Sequence, residues 1–209
     1  MNLRTRRFQI DGPAGRIELL RDDPGEDVQT RGTAVIAHPH PLFGGTMENK
    51  VVQTLARAFV LCGWRSVRFN FRGVGASQGT HDEGRGETED MLQVIAAEAE
   101  SGALAVAGFS FGSYVAANVI ARLWNERAPD KIVLVGTAVT RFAVASLPQE
   151  AHDRTFVVHG EEDDTVPLAD VMNWARPQQL PVTVVPGGEH FFHGQLPLLK
   201  SLVARHLRS

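Results

Sequence analysis

Ala103-Leu-Ala-Val-Ala-Gly-Phe-Ser-Phe-Gly112, continued by Ser-Tyr-Val-Ala-Ala-Asn-Val-Ile-Ala-Arg-Leu-Trp124, passes from an apolar run through a glycine-bracketed serine into a helical pattern. That helix is apolar around most of its circumference, so it is buried on most sides and belongs at the centre of the domain. Gly108-Phe-Ser-Phe-Gly112 matches G-x-S-x-G. A strand before it and a helix after it are the context in which the pattern makes an exposed nucleophilic serine. A serine forced through so tight a turn has an unfavourable backbone conformation. Side chains at the flanking positions would strike neighbouring backbone, which is why glycine is needed there. The helix that begins at Ser110 also aims its positive end, and the Phe111 N–H, at an oxyanion formed at that point.

Gly75-Ala-Ser-Gln-Gly79 matches the same pattern. Ser77, however, is followed by Thr80-His-Asp-Glu-Gly84, a polar stretch with no immediate helix, so Ser110 is the expected nucleophile. The Gly73-x-Gly75 stretch is not a dinucleotide fingerprint either, because Gln78 stands where the third glycine is required.

Outward from this centre, short apolar runs alternate with longer helical patterns, the sign of βαβ units around a parallel sheet. Residues 8–10 and 16–20, joined by Gly12-Pro-Ala-Gly15, read instead as an antiparallel hairpin. Thr33-Ala-Val-Ile-Ala37 has the unbroken apolar character of a central strand, and a helix is predicted over 49–61, stopped by Gly63. A strand over 66–71 and a helix over 87–98 follow, separated by the glycine-rich 73–79. Strands over Lys131–Val135, 155–158 and Val182–Val185, with helices over Leu168–Ala175 and 196–207, complete the pattern. Between the strand ending near Gly136 and the one beginning near Thr155, the stretch 137–153 is too short for a lid domain; it leaves a loop with room for one helical turn around 142–145. The expected organisation is one domain over 1–209.

A serine hydroxyl needs a base, and the base needs a carboxylate to orient it. His159-Gly-Glu-Glu-Asp-Asp-Thr-Val-Pro167 leaves one late strand with several carboxylates, of which Asp163 is preferred and Asp164 is its rival. Pro186-Gly-Gly-Glu-His190 leaves the last strand, making His190 the candidate base, with His193 the rival. In His38-Pro-His-Pro-Leu-Phe-Gly-Gly45 the prolines have no N–H to offer. A second oxyanion donor is therefore the His40 amide, with Leu42 next. His38, His40, His190 and His193 could alternatively be metal ligands, but no acidic motif supports them and the serine turn would then go unexplained.

The composition is ordinary for a globular chain, with 43% of its residues hydrophobic and 22% charged, close to the usual averages. Twenty-one basic against 24 acidic side chains leave a net charge of −3, and no long basic face exists for nucleic acid. Arg4, Arg6 and Arg7 precede no apolar run and read as a solvated strand edge, not a targeting signal. No membrane association is expected. The single cysteine, Cys62, lies in the apolar run that begins Ala58-Phe-Val-Leu61 and reads as a buried, inert thiol; the expected location is cytoplasmic.

Several motifs then carry a family resemblance: His38-Pro-His-Pro-Leu-Phe-Gly-Gly-Thr-Met47 with Asn49-Lys50, Phe69-Asn-Phe-Arg-Gly-Val-Gly75 with Ser77 and Gly79, Gly108–Gly112, and His159-Gly160 with Asp163 and Val166-Pro167. On these the chain resembles the α/β-hydrolase superfamily, and within it short bacterial hydrolases of a dienelactone-hydrolase-like branch. It departs from the wider superfamily at Pro39, where a His-Gly pair is usual. The resemblance implies an α/β-hydrolase fold, Ser110 as nucleophile, Asp163 as orienting acid, His190 as base and Ser77 in a structural loop. The resulting expectation is a serine hydrolase that cleaves small carboxylic esters through an acyl-enzyme, with no cofactor and no metal. A thioesterase or peptidase using the same residues, or a binding protein on the same fold, are the alternatives.

Overall fold

The computed structural model describes residues 5–209; Arg4 lies outside them. Strands β1 (Thr5–Gly12) and β2 (Gly15–Asp22) form the expected antiparallel hairpin. They are followed by β3 (Gly32–Ala37), α1 (Lys50–Leu61), β4 (Arg65–Phe69), α2 (Arg85–Glu98), β5 (Ala103–Phe109) and α3 (Phe111–Arg127). The chain then forms β6 (Lys131–Val135), β7 (Thr155–Gly160), α4 (Leu168–Ala175), β8 (Val182–Val185) and α5 (Leu196–Arg208). All eight strands join one sheet in the order β1-β2-β4-β3-β5-β6-β7-β8, antiparallel only at β1/β2 and β2/β4.

The period-2 alternation of the central strands sends their side chains to two cores. Ala34 and Ile36 pack with α1 and α5, whereas Val35 and Ala37 pack with α2, α3 and α4 on the other face. Because α1 and α2 lie on opposite faces, the chain reverses direction between β3 and β5, and such a switch point opens a crevice at the carboxyl ends of the strands. Ser110 follows β5 and His40 follows β3, so both face that crevice.

Many element ends shift by one to three residues from the sequence reading, and the departures with a structural cause lie at the end of β4 and in the loop after β6. The strand predicted over 66–71 ends at Phe69, because the Phe71 amide leaves the ladder and donates to His38 Nε2 at 3.0 Å. No helical turn forms around 142–145. The chain bends at 139–141 instead, since Phe142 stacks on Tyr114 with centroids 4.8 Å apart and the Val144 carbonyl accepts from Trp174 Nε1 at 3.3 Å. A 3-10 turn forms later, at Gln149–Arg154. Cys62 is buried, and its thiol donates to the Ala204 carbonyl of α5. Among the described residues no helix is long and apolar enough to cross a membrane.

Candidate active site

Ser110 adopts φ 56° and ψ −120°. Positive φ favours glycine and costs a serine backbone strain. Two close approaches fix the bend. A Cβ on Gly108 would lie 2.2 Å from the Gly112 carbonyl oxygen, and one on Gly112 would lie 2.3 Å from that of Ala37. Ser113, which sequence reasoning missed, pins the turn from below: its hydroxyl donates to the Gly108 carbonyl at 2.7 Å and accepts from the Val135 amide at 3.2 Å. A small hydroxyl three residues past the serine, in the largely apolar first half of the helix, was the signal.

The loops after β7 and β8 are held together where Gly160 meets Gly188. A Cβ on Gly160 would come within 2.2 Å of the Gly188 carbonyl, which accepts from the Glu162 amide at 2.8 Å. This contact brings His190 between Asp163 and Ser110. His190 Nδ1 lies 2.7 Å from Asp163 Oδ2, and Nε2 lies 3.0 Å from Ser110 Oγ. With the proton on Nδ1 facing the carboxylate, Nε2 has its lone pair toward the hydroxyl. All three side chains are buried, Ser110 at 8% exposure and His190 at 3%. Asp163 Oδ1 accepts from the amides of Thr165 at 3.0 Å and Val166 at 2.8 Å. Burial pushes its carboxyl up, but the bond to His190, that ring's charge, the Val166 amide and His159 outweigh burial and hold it below the usual carboxylate range.

His159 is a partner that sequence reasoning did not assign. Its Nε2 lies 2.8 Å from the Val166 carbonyl and 3.4 Å from Asp163 Oδ2, so it donates toward both. Burial pushes this imidazole down and keeps it neutral, against the upward pull of the Val166 carbonyl and Asp163.

The rivals lie elsewhere. Asp164 is exposed and accepts only from the Thr165 hydroxyl among the described residues. His193 is exposed beside Glu189. Ser77 is buried in the loop that docks on the β1–β2 hairpin, where its hydroxyl donates to the Asn70 carbonyl at 2.7 Å and accepts from the Glu18 amide at 2.9 Å.

His40 and Phe111 line a small cavity with Ser110. Neither amide donates to an acceptor among the described residues, as an anion-binding pair requires. The Leu42 amide is consumed by His40 Nδ1 at 3.2 Å.

The fully buried His38 props this loop. Nε2 accepts from Phe71, so the proton is on Nδ1 and donates to the Pro39 carbonyl at 2.6 Å. Burial, reinforced by His40 and opposed by the Pro39 bond, pushes the imidazole down to about 3. The unfolded chain therefore takes up a proton below its ordinary value of 6.5, one that the folded chain refuses. Stability is whole above that pH and drains as the pH falls toward 3. His206, pushed down to about 4 chiefly by burial, adds to the same fall. Urea midpoints measured across this range should fall with acid, and less steeply in His38→Gln, which starts less stable at neutral pH. An unchanged slope in that variant would show that His38 does not contribute.

A mostly parallel sheet with a strained serine after its central strand, and His190 and Asp163 delivered from the last two strands, defines an α/β hydrolase. Among solved structures, the chain resembles an alpha-beta serine hydrolase homologue from Coxiella burnetii at 40% identity, over 97% of each chain, with a TM-score of 0.86. It also resembles XC6422 from Xanthomonas campestris, described as an α/β serine hydrolase without lid, at 31% identity over 100% of this chain and 95% of that one, with a TM-score of 0.87. Uncharacterized protein RP471 of Rickettsia prowazekii is 31% identical over 207 residues, 89% of this chain and 82% of its own. No protein-family model matches. The chain belongs to the α/β serine hydrolases.

Proposed function

We propose that Ser110, His190 and Asp163 form a catalytic triad that hydrolyses small carboxylic esters. The observation that carries this reading is the single imidazole bridging a strained serine at 3.0 Å and a buried carboxylate at 2.7 Å. Ser110 Oγ attacks the ester carbonyl as His190 Nε2 takes its proton, and the His40 and Phe111 amides hold the oxyanion. The imidazolium then protonates the leaving alcohol, and an acyl group remains on Ser110. Water, deprotonated by the same nitrogen, releases the acid. Asp163 keeps the proton on Nδ1 and steadies the imidazolium. No step draws on a cofactor. A cytoplasmic location fits the lone, buried Cys62.

Two cavities reach Ser110, and the chemistry assigns them. The leaving oxygen must meet the proton on His190, so the alcohol side belongs in the larger cavity, about 370 Å³, which His190, Gly44, Gly45, Asn49 and Phe191 line. The acyl group then enters the smaller one, about 50 Å³ between Phe111, Ala138, Phe142 and Val166. That volume holds only a few heavy atoms.

Acetyl and propionyl esters should accordingly exceed octanoyl esters in kcat/KM by about tenfold or more, since overfilling a packed pocket forces its walls apart. With no lid to open, rates should rise smoothly through the solubility limit of the substrate. A preference for long, emulsified esters would refute this assignment of the cavities. Labelling of Ser110 by a fluorophosphonate, with a screen of esters, thioesters and amides, tests the reaction class; an unlabelled Ser110 would refute the triad.

A further inference from the structure

Resting on the triad reading, we propose that the ester cleaved here carries a negatively charged group, of the carboxylate class, on its alcohol side, and that Arg141 binds it. Arg141 lines both cavities that reach Ser110 as well as the outer hollow beyond them. Its guanidinium lies 5.5 Å from the centroid of the Phe43 ring, which is 72% exposed. An aromatic face and not a carboxylate therefore holds it at the mouth. Arg141 is exposed and, like Arg16, Arg57 and Arg176, forms no salt bridge among the described residues; what sets it apart is that it lines both cavities beside Ser110. Asp170, which reaches the residue before Arg141, accepts from the Thr140 hydroxyl at 2.9 Å.

No aspartate or glutamate lines either cavity beside Ser110; Glu83 and Arg85 line only the outer hollow. In a chain of net charge −3, the mouth is thus a local positive site. Of the histidines that line the two cavities, His190 belongs to the triad and His40 is pushed down by burial, His81 and Arg141 itself against the upward pull of Glu87, which leaves Arg141 as the cation that meets the substrate. Guanidinium presents paired N–H donors that match a carboxylate, and because Arg141 and Phe43 are both exposed the pair is one that salt screens.

The test compares 4-acetoxybenzoate with its neutral isostere 4-acetoxybenzamide, which share the acyl group and differ in charge on the leaving group. The wild-type protein should show a KM for the anionic ester about fivefold lower than for the amide at low salt, with the ratio shrinking as ionic strength rises. In Arg141→Gln that ratio should collapse to near one, through KM rather than kcat, and Arg141→Lys should retain part of it. A wild-type ratio near one, or a ratio that survives Arg141→Gln, overturns the proposal. If Ser110 reacts with a fluorophosphonate but neither ester is turned over, protection by 4-hydroxybenzoate against 4-hydroxybenzamide decides by the same two criteria. A Ser110 that does not label sinks the triad and this proposal with it, an outcome distinct from loss of charge preference.

Discussion

Ser110→Ala is expected to cut ester turnover by at least about 10⁴-fold and to abolish fluorophosphonate labelling, because the loss of a nucleophile in a cooperating triad removes nearly all of its rate enhancement. No neighbouring hydroxyl can take over. Ser113 Oγ is held between the Gly108 carbonyl and the Val135 backbone, on the core side of the turn. The Thr165 hydroxyl is engaged by Asp164. The second G-x-S-x-G serine gives the contrasting result. Ser77→Ala should label normally and melt at a lower temperature, since it leaves the buried Glu18 amide and Asn70 carbonyl without their shared partner. Such a loss costs about 1–3 kcal/mol. Labelling that survives Ser110→Ala and disappears in Ser77→Ala would reverse the assignment of the two motifs.

That contrast also shows what kind of information the sequence carries. The two serines have the same flanking glycines, and only the helix after Ser110 separates them; local periodicity sufficed. The same local signals announced the central strands, the hairpin and the short interval after Gly136. Long-range pairings were not legible. His38 looked like a potential metal ligand, yet both of its ring nitrogens are spent on the backbone of Phe71 and Pro39, and the first of these lies 33 residues away. Phe142 was expected in the one helical turn that the short 137–153 stretch has room for, but stacking on Tyr114 decided its conformation. Arg141 carried no signal at all. It lines both cavities beside Ser110, a placement that only the fold creates and no reading along the chain can detect.

The orienting acid provides the second large effect. Asp163→Asn should reduce kcat by roughly 10⁴-fold, whereas Asp164→Asn should stay within about twofold, the range of an exposed substitution. The difference follows from what surrounds each carboxylate. Asp163 faces donors on every side: the Thr165 and Val166 amides at Oδ1, and His190 Nδ1 and His159 Nε2 at Oδ2. An asparagine can satisfy the two amides with its carbonyl oxygen, but its NH₂ must then point at His190. There it can donate only to an unprotonated Nδ1, which moves the ring proton to Nε2 and aims a hydrogen at Ser110 Oγ where a lone pair is needed. Geometry survives and the base is lost. The pH profile adds an independent check. The wild-type rate should fall on the acid side as His190 takes a proton, because an imidazolium cannot accept another from serine. Asp163 is held below the usual carboxylate range, so one proton is expected to set the limb. A two-proton limb would mean that Asp163 and His190 titrate together, and equal small losses in the two asparagine variants would place the orienting acid elsewhere in the 161–164 loop.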